Sequence, residues 1–329
     1  MSGAGRDPRR EPEEAGGTRQ LHDCVVIGAG PAGLTAALYL RRFHRDIAVL
    51  DAGNSRARWI PSSHNCPGFP DGVSGDDLLA RMREQASDYG TLLKKARATR
   101  LEKVEQGFLV HDAQGGQYLT RTVLLATGIV DVLPEVDWAE PAVACGAMRL
   151  CAICDGFEAS DEDLAVYGPL PSALGHAQFM RSYSARVTLV PSSEVEPDQA
   201  MRDAARRAGI EMLQRPRDLV FEDGRCGFVE TSGHTRWFDT VYPVLGGRSQ
   251  SALAIELGAR VDEASELVVD RDQMTSVEGL YAVGDVVSAL NQISVGIGHA
   301  AIAATHIHNA LPRNPRAAGA HRTRGPRLP

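Results

Sequence analysis

Apolar residues along this chain fall into short runs, separated by glycine-rich turns and by stretches with helical spacing. Cys24–Ile27 is an apolar run of the kind found in a strand buried on both faces. From Pro31 the pattern changes: Leu34, Leu38 and Leu40 recur with small residues between them, which predicts a helix. Ile47–Leu50 returns to strand and ends in Asp51. A second unit of this kind spans Leu164–Val190 and reads as strand, tight turn, helix, strand. Thr122–Asp131 and Gly279–Val287 each predict a strand that runs into a turn of small residues. Those turns are Ala126-Thr127-Gly128 and Gly284-Asp285. Strands alternating with helices predict an α/β chain built on parallel sheets.

Composition narrows the class. A chain of 329 residues predicts two domains at about 150 residues each. Apolar content is 43% and charged content 23%, as in a water-soluble globular protein. The net charge of −7 argues against a general nucleic-acid binder. No run approaches the roughly 18 apolar residues of a membrane span. Arg9-Arg10 is followed at once by acids and by no apolar region, so no export signal is read and a cytoplasmic location is expected. Residues 1–20 are rich in Gly, Pro, Arg and Glu, and 313–329 hold five arginines and no acids. Neither has apolar periodicity, and both are expected to be disordered tails.

Chemistry enters with the first turn. Gly28-Ala29-Gly30-Pro31-Ala32-Gly33 fits G-x-G-x-x-G between a strand and a helix. Gly28 permits the tight turn, Gly30 lets backbone meet a pyrophosphate, and Gly33 lets helix pack on strand. The helix N-terminus offers free N–H groups to phosphate. Asp51 lies about 20 residues past the glycines, the spacing for a ribose hydroxyl. The second candidate is Cys151-Ala152-Ile153-Cys154-Asp155-Gly156. A zinc site needs a second ligand pair, and none stands at the usual spacing. Two structural thiols are the plain alternative. A redox dithiol is favoured, because two intervening residues allow a small disulfide ring and depress one thiol pKa. Asp155 is then placed to act as general acid or base for the leaving thiol.

These segments together resemble the low-molecular-weight thioredoxin reductases. CAICDG is similar to the family's CATCDG. His64–Gly90, beginning HNCPGFPDGVSG, resembles its N-x-PGFP segment, and Gly284–Leu311 resembles its C-terminal closure over FAD. The likeness covers about residues 21–312. It implies two Rossmann-like domains, the second inserted in the first. The FAD-binding domain would comprise 21–131 and 246–312. The inserted NADPH-like domain would span 132–245 and carry the CxxC. The resemblance implies a homodimer in which the inserted domain swivels. It implies FAD against Gly28, Gly30, Pro31, Ala32, Gly33, Asp51, Ala126, Thr127, Gly128, Gly284, Asp285, Gln292 and Ile293. Asn65 and Gln292 take the positions that contact the isoalloxazine. Cys154 becomes the sulfur near the flavin and Cys151 the one that exchanges with a thioredoxin-like partner.

One part departs from that pattern. The family's inserted domain has GGG-x-SA after its first strand; this chain has Gly168-Pro169-Leu170-Pro171-Ser172-Ala173. Proline has no N–H for a phosphate, and Leu170 adds bulk where only glycine permits close approach. The family's HRR-x-x-x-R, which holds the 2′-phosphate of NADPH, is replaced by Pro191-Ser192-Ser193-Glu194-Val195-Glu196-Pro197-Asp198. That stretch has three acids and no base. NADPH binding is therefore expected to be lost while FAD and the dithiol remain. Glu194 taking an NAD ribose is the alternative for a divergent, working site.

The expected activity is a flavin-dependent disulfide oxidoreductase fed by ferredoxin or another donor, acting on a thioredoxin-like protein or a small dithiol. The reverse, a dithiol oxidase using O2, and a flavin redox sensor without turnover are the alternatives. Five lesser expectations complete the reading. His299 near the flavin is read as a solvated or capping side chain or as a proton donor. Asn291 stands where the family has arginine. Cys66 and Cys24 are read as core. Cys145 and Cys226 have no partner visible in sequence.

Overall fold

The computed structural model describes residues 20–287 and 290–318. Of the tails expected at 1–20 and 313–329, residues 1–19 and 319–329 lie outside the described residues.

The chain begins in a sheet. Strands β1 (Leu21–Ile27), β2 (Ile47–Asp51), β3 (Leu92–Lys95), β4 (Ala98–Val104), β5 (Gly107–Asp112) and β6 (Gln117–Leu125) belong to it. Helix α1 (Pro31–Arg42) connects β1 to β2, and α2 (Gly75–Asp88) precedes β3. Ser74 caps α2, its hydroxyl accepting from Asp77 N. The chain then leaves through β7 (Ile129–Asp131) into α3 (Ala139–Cys145) and the one-turn α4 (Ala152–Asp155).

A second parallel sheet follows, made of β8 (Asp163–Gly168), β9 (Arg186–Pro191), β10 (Glu211–Met212) and, further on, β14 (Thr240–Pro243). Helices α5 (Leu170–Met180) and α6 (Gln199–Ala208) make its crossovers. Between β10 and β14 lies a three-stranded antiparallel sheet of β11 (Asp218–Glu222), β12 (Arg225–Val229) and β13 (Thr235–Phe238). The chain returns through β15 (Gly247–Ser249), the short α7 (Ala252–Ile255), β16 (Leu280–Ala282) and α8 (Ile293–Ala310).

The first sheet has the order β3-β2-β1-β6-β5-β4, with β16 also on β6. Strand β6 serves two neighbours on one edge: Gln117–Thr120 pair with β5 antiparallel, and Val123–Leu125 pair with β16 in parallel. Late residues thereby join a sheet begun about 260 residues earlier, at β1. The second sheet has the order β10-β9-β8-β14. Strands β7 and β15 pair antiparallel, Asp131 opposite Gly247, where the chain leaves and returns.

The apolar runs do what their pattern predicts. Val25, Val26, Ala48 and Val49 are fully buried, because helices cover one face of the sheet and other apolar residues the opposite one. Helices α1 and α8 pack through small residues, with Ala36, Ala37, Ala300, Ala303 and Ala304 all fully buried. Small contacts let the helix axes approach and bring the start of α8 over the first glycine turn. The second sheet has its own core of Leu164, Val166, Leu170, Ala173 and Val187. The expected basic tail is tied down at its start: Asn314 Nδ2 donates to the Phe43 and His44 carbonyls at 3.0 and 3.3 Å. Arg45, buried beneath, donates to the His308 and Pro312 carbonyls and so holds the end of α8. No described helix is long and apolar enough to cross a membrane.

Candidate functional site

The site grows from the turn between β1 and α1. Gly28 has φ +104°, and a Cβ there would run into the Ala126 carbonyl. A Cβ on Gly33 would strike the Gly28 carbonyl. Both glycines are therefore required by packing. Gly30 differs: its Cβ would meet only Ser55 Oγ at 3.2 Å, and its face opens on a cavity. Gly30 is also the N-cap of α1, with Pro31 at the first helical position, where the missing N–H costs nothing.

That cavity has a volume of about 830 Å³. Its wall contains Gly28, Gly30, Pro31, Ala32, Asp51, Asn65, Ala126, Thr127, Gly128, Cys151, Cys154, Asp155, Gly284, Asp285, Gln292 and Ile293. Of the residues read from sequence as catalytic or cofactor-binding, Gly33 alone stands outside it, under the turn. The two small-residue turns meet there because their strands flank one another. Ala126 N donates to the Ile27 carbonyl, and Val283 N donates to the Leu125 carbonyl. A Cβ on Gly284 (φ +75°) would come to 3.1 Å from Ala32 Cβ.

The lining combines open backbone with fixed polar groups, which suits a dinucleotide. Open glycine backbone and the α1 N-terminus lie at one region. Asp51 accepts from Gly53 N at 3.0 Å and pairs with Arg83 at 2.7 Å, which fixes its carboxylate at the strand end. Asn291 presents a buried Oδ1 without a hydrogen-bond partner among the described residues, in the cavity wall.

At the other end lies the disulfide Cys151–Cys154. Gln292, the N-cap of α8, donates from Nε2 to both sulfurs at 3.4 Å. Asn65 Nδ2 donates to Gln292 Oε1 at 3.1 Å and to the Ile153 carbonyl at 3.4 Å. Ser63 Oγ donates to Asn65 Oδ1 and orients that amide. Asp155 is pushed up to about 6, chiefly by burial, against the nearby Arg149 charge and a hydrogen bond from Tyr242. A carboxyl near 6 exchanges its proton readily around neutral pH.

A second pocket, of about 330 Å³, opens on the disulfide from outside. Cys154 lines both cavities; His64, Asn65, Ile153, Phe157, Glu158 and Tyr183 complete the outer one. Ile153 and Phe157 are 50% and 78% exposed, so apolar surface stands beside the sulfurs.

Sequence reasoning missed Arg56. Its guanidinium clasps Asp131 with two hydrogen bonds, of 2.7 and 2.9 Å, and reaches Asp285 at 3.6 Å. Asp285 is raised by burial, with Arg56 opposing and Asp131 adding to the rise. The three residues lie 75 and more positions apart, and no local spacing announces them. Asp131 belongs to β7, so this cluster also ties the crossing strand to the cavity.

The second glycine turn is filled. A Cβ on Gly168 would lie 2.6 Å from the Val244 carbonyl, so that glycine serves packing. Pro169 is the N-cap of α5 and Pro171 lies in its first turn, and neither has an N–H. Leu170 is 1% exposed and belongs to the core. Ser192 N is spent on the Gly168 carbonyl at 3.0 Å. Two arginines absent from the local sequence do reach the acidic stretch, Arg215 to Glu194 at 2.7 Å and Arg202 to Glu196 at 3.7 Å. Both are paired with acids. The open backbone of the first turn has no counterpart here.

The lesser expectations fall as follows. Cys66 is 6% exposed in a small cluster with Val73 and Leu78. Burial pushes Cys24 up to about 12. Burial also pushes Cys226 up to about 12, and Cys145 lies near enough to add to the rise. His299 is held below its ordinary value by burial, and its Nδ1 has no hydrogen-bond partner among the described residues. The cavity wall takes Gln292, Ile293 and Gly296 from α8, but not His299.

Known proteins agree with this geometry. Residues 22–306 match the model of the family described as pyridine nucleotide-disulphide oxidoreductase. The chain is 27% identical over 285 residues to a thioredoxin reductase of Aquifex aeolicus, covering 81% of this chain and 86% of the relative. It is 29% identical to a thioredoxin reductase of Mycolicibacterium smegmatis, covering 82% and 90%. The crystal structure of HlmI superposes with a TM-score of 0.82 at 29% identity, covering 88% of this chain and 92% of that one. With its two Rossmann-like units, its dithiol and its cavity, the chain belongs to the pyridine nucleotide-disulphide oxidoreductase family, as a flavin-dependent disulfide oxidoreductase like the thioredoxin reductases.

Proposed function

We propose that this enzyme is a thiol–disulfide oxidoreductase of the thioredoxin reductase type that works through FAD and Cys151–Cys154 without drawing on NADPH. One observation carries the second half of that statement. The β8–α5 turn is closed by Pro169, Leu170 and Pro171, with Leu170 built into the core.

In this reading Gly28, Gly30, Pro31, Ala32 and Gly33 form the pyrophosphate turn, and Asp51 takes a ribose diol. Ala126, Thr127, Gly128, Gly284 and Asp285 close around the middle of the cofactor. Asn65, Gln292 and Ile293 stand at the flavin ring. When bound, FAD supplies reversible two-electron chemistry beside the disulfide. Gln292 holds both sulfurs, and Asn65 fixes the amide that does so. Asp155 gives a proton to the leaving thiolate, or takes one from an attacking thiol.

The domain division is part of the proposal: 21–131 with 246–312 for FAD, and 132–245 inserted with the CxxC. The β7–β15 pair at the crossing supports it. A homodimer and a cytoplasmic location are also part of the proposal. The substrate is a thioredoxin-like protein or a small dithiol; the exposed Ile153 and Phe157 and the outer pocket support a thiol partner reaching the Cys151–Cys154 pair. The electron donor is ferredoxin or another carrier.

Anaerobic titration with NADPH, then NADH, while following the visible flavin absorbance, tests the proposal. The expected result is no bleaching by either, and bleaching by a dithiol or by reduced ferredoxin. Prompt bleaching by NADPH overturns the NADPH-independent reading. Whether the dithiol or the ferredoxin bleaches the flavin sets the direction of electron flow.

A further inference from the structure

Asp155 is held by two residues that lie outside the Cys-x-x-Cys motif. Tyr242 stands on β14, 3% exposed, with its ring in the core of the second sheet. Its hydroxyl reaches Asp155 Oδ1 at 3.0 Å and the Asp155 carbonyl at 3.3 Å. Arg149 lies two residues before Cys151. Its NH1 donates to the Asp155 carbonyl at 2.9 Å and its Nε to the Gly146 carbonyl at 3.3 Å.

The two residues share one support. Arg149 N donates to the Val241 carbonyl, and Val241 N donates to the Ala147 carbonyl. Residues 147–149 thus run beside β14 as an extra parallel strand, with Met148 opposite Val241. The one-turn helix that carries the disulfide has no buried residue of its own. It is anchored to the rigid sheet through Asp155. A carboxyl so tethered keeps one rotamer while the disulfide opens and closes.

We propose that Arg149 and Tyr242 are positioning residues for the disulfide reaction: they hold the Asp155 carboxyl beside Cys151–Cys154 and set the pH at which it exchanges its proton. This rests on the reading of Asp155 as the acid of that reaction. Burial pushes Tyr242 far above its ordinary range, so it remains a donor at every working pH. A permanent donor and a permanent cation both favour the carboxylate and oppose burial. Glu158, on the turn after the disulfide helix, is the other charged group acting on Asp155, and it raises the carboxyl.

The chemical step is thiol–disulfide exchange with a dithiol. A substrate thiolate attacks one sulfur of Cys151–Cys154, a mixed disulfide forms, and the protein S–S bond breaks. The leaving thiolate takes the proton of Asp155. The second substrate thiol then displaces the remaining cysteine. The substrate ends oxidised to a disulfide and the protein reduced to two thiols.

The test is anaerobic opening of the disulfide in the FAD-loaded enzyme by dithiothreitol, from pH 5 to 9, with quenched thiols counted by alkylation. The wild type is expected to show a break near 6 that reports Asp155. In Tyr242→Phe and in Arg149→Met the break moves upward by about one pH unit, the size of a lost hydrogen bond or charge at a carboxylate. Arg149→Lys restores most of the shift. A break that stays in place in both variants, with rates lowered equally at every pH, overturns the inference and leaves a merely structural role. A wild type without any break overturns the acid role of Asp155 and this inference with it. Retention of the flavin spectrum distinguishes either result from misfolding.

Discussion

The two βα turns of this chain are built on one plan and used differently. Gly28-Ala29-Gly30-Pro31-Ala32-Gly33 and Gly168-Pro169-Leu170-Pro171-Ser172-Ala173 align position by position. The first glycine is kept in both, and for the same reason: a Cβ would meet the carbonyl at the end of the neighbouring parallel strand, Ala126 or Val244. The last position is small in both, Gly33 or the fully buried Ala173, because the helix crosses close to its strand. The middle position differs. Gly30 caps its helix and faces the cavity, whereas Leu170 is already helical and turned into the core. The fold requires the outer positions of the motif; only a ligand requires the middle one. A turn that keeps the former and changes the latter retains its architecture, and in the proposed function it has given up its dinucleotide.

Three changes test this contrast. The largest effect is expected at Gly30→Val. Its branched side chain enters the cavity, where the fold itself has room, so the protein should fold and lose FAD, at about a hundred-fold weaker binding or more. A yellow variant at full occupancy refutes the assignment of the first turn.

Leu170→Gly acts on the other side of the contrast. It opens the second turn but removes a core side chain and adds backbone freedom at the start of α5. A loss of about 3 kcal/mol in chemical denaturation is expected, with no flavin bleaching by NADPH. A neutral change in stability shows that Leu170 is not structural and reopens the turn as a binding site.

The smallest effect is expected at Glu194→Ala. The Glu194–Arg215 pair is exposed, so stability should change by less than about 1 kcal/mol. Freeing Arg215 should still not produce a response to NADPH, since the prolines remain. An NADPH response in this variant alone makes the ion pair, rather than the turn, the obstacle.

Much of the site was legible before any coordinates. The first fingerprint, Asp51, the two small-residue turns, Asn65, Gln292 and the Cys-x-x-Cys-Asp all reach one cavity. Each carries a signal within a short window: a strand period, a glycine spacing, or two cysteines around two residues. The filling of the second turn was legible for the same reason, since proline and leucine announce their effect locally. Arg56 was not. It opens a single 3-10 turn, Arg56–Trp59, too short to show a period, and its partners Asp131 and Asp285 come from distant segments. The link from Gln292 to both sulfurs joins residues some 140 positions apart, and Arg215 meets Glu194 only because β10 returns beside β9.

The class of chain, its two dinucleotide-type turns, the filling of one of them by proline and leucine, and the Cys151–Cys154 pair could be read from the residues alone. Backbone dihedral limits and side-chain periodicity act over a few residues, and such features can be read there. The tertiary structure alone decided which charges meet. It put Arg56 between Asp131 and Asp285, and it brought Tyr242 from a strand nearly 90 residues downstream against Asp155. Hydrogen bonds and Coulomb interactions depend on separation in space, and that is fixed by how sheets and helices pack rather than by the order of residues along the chain.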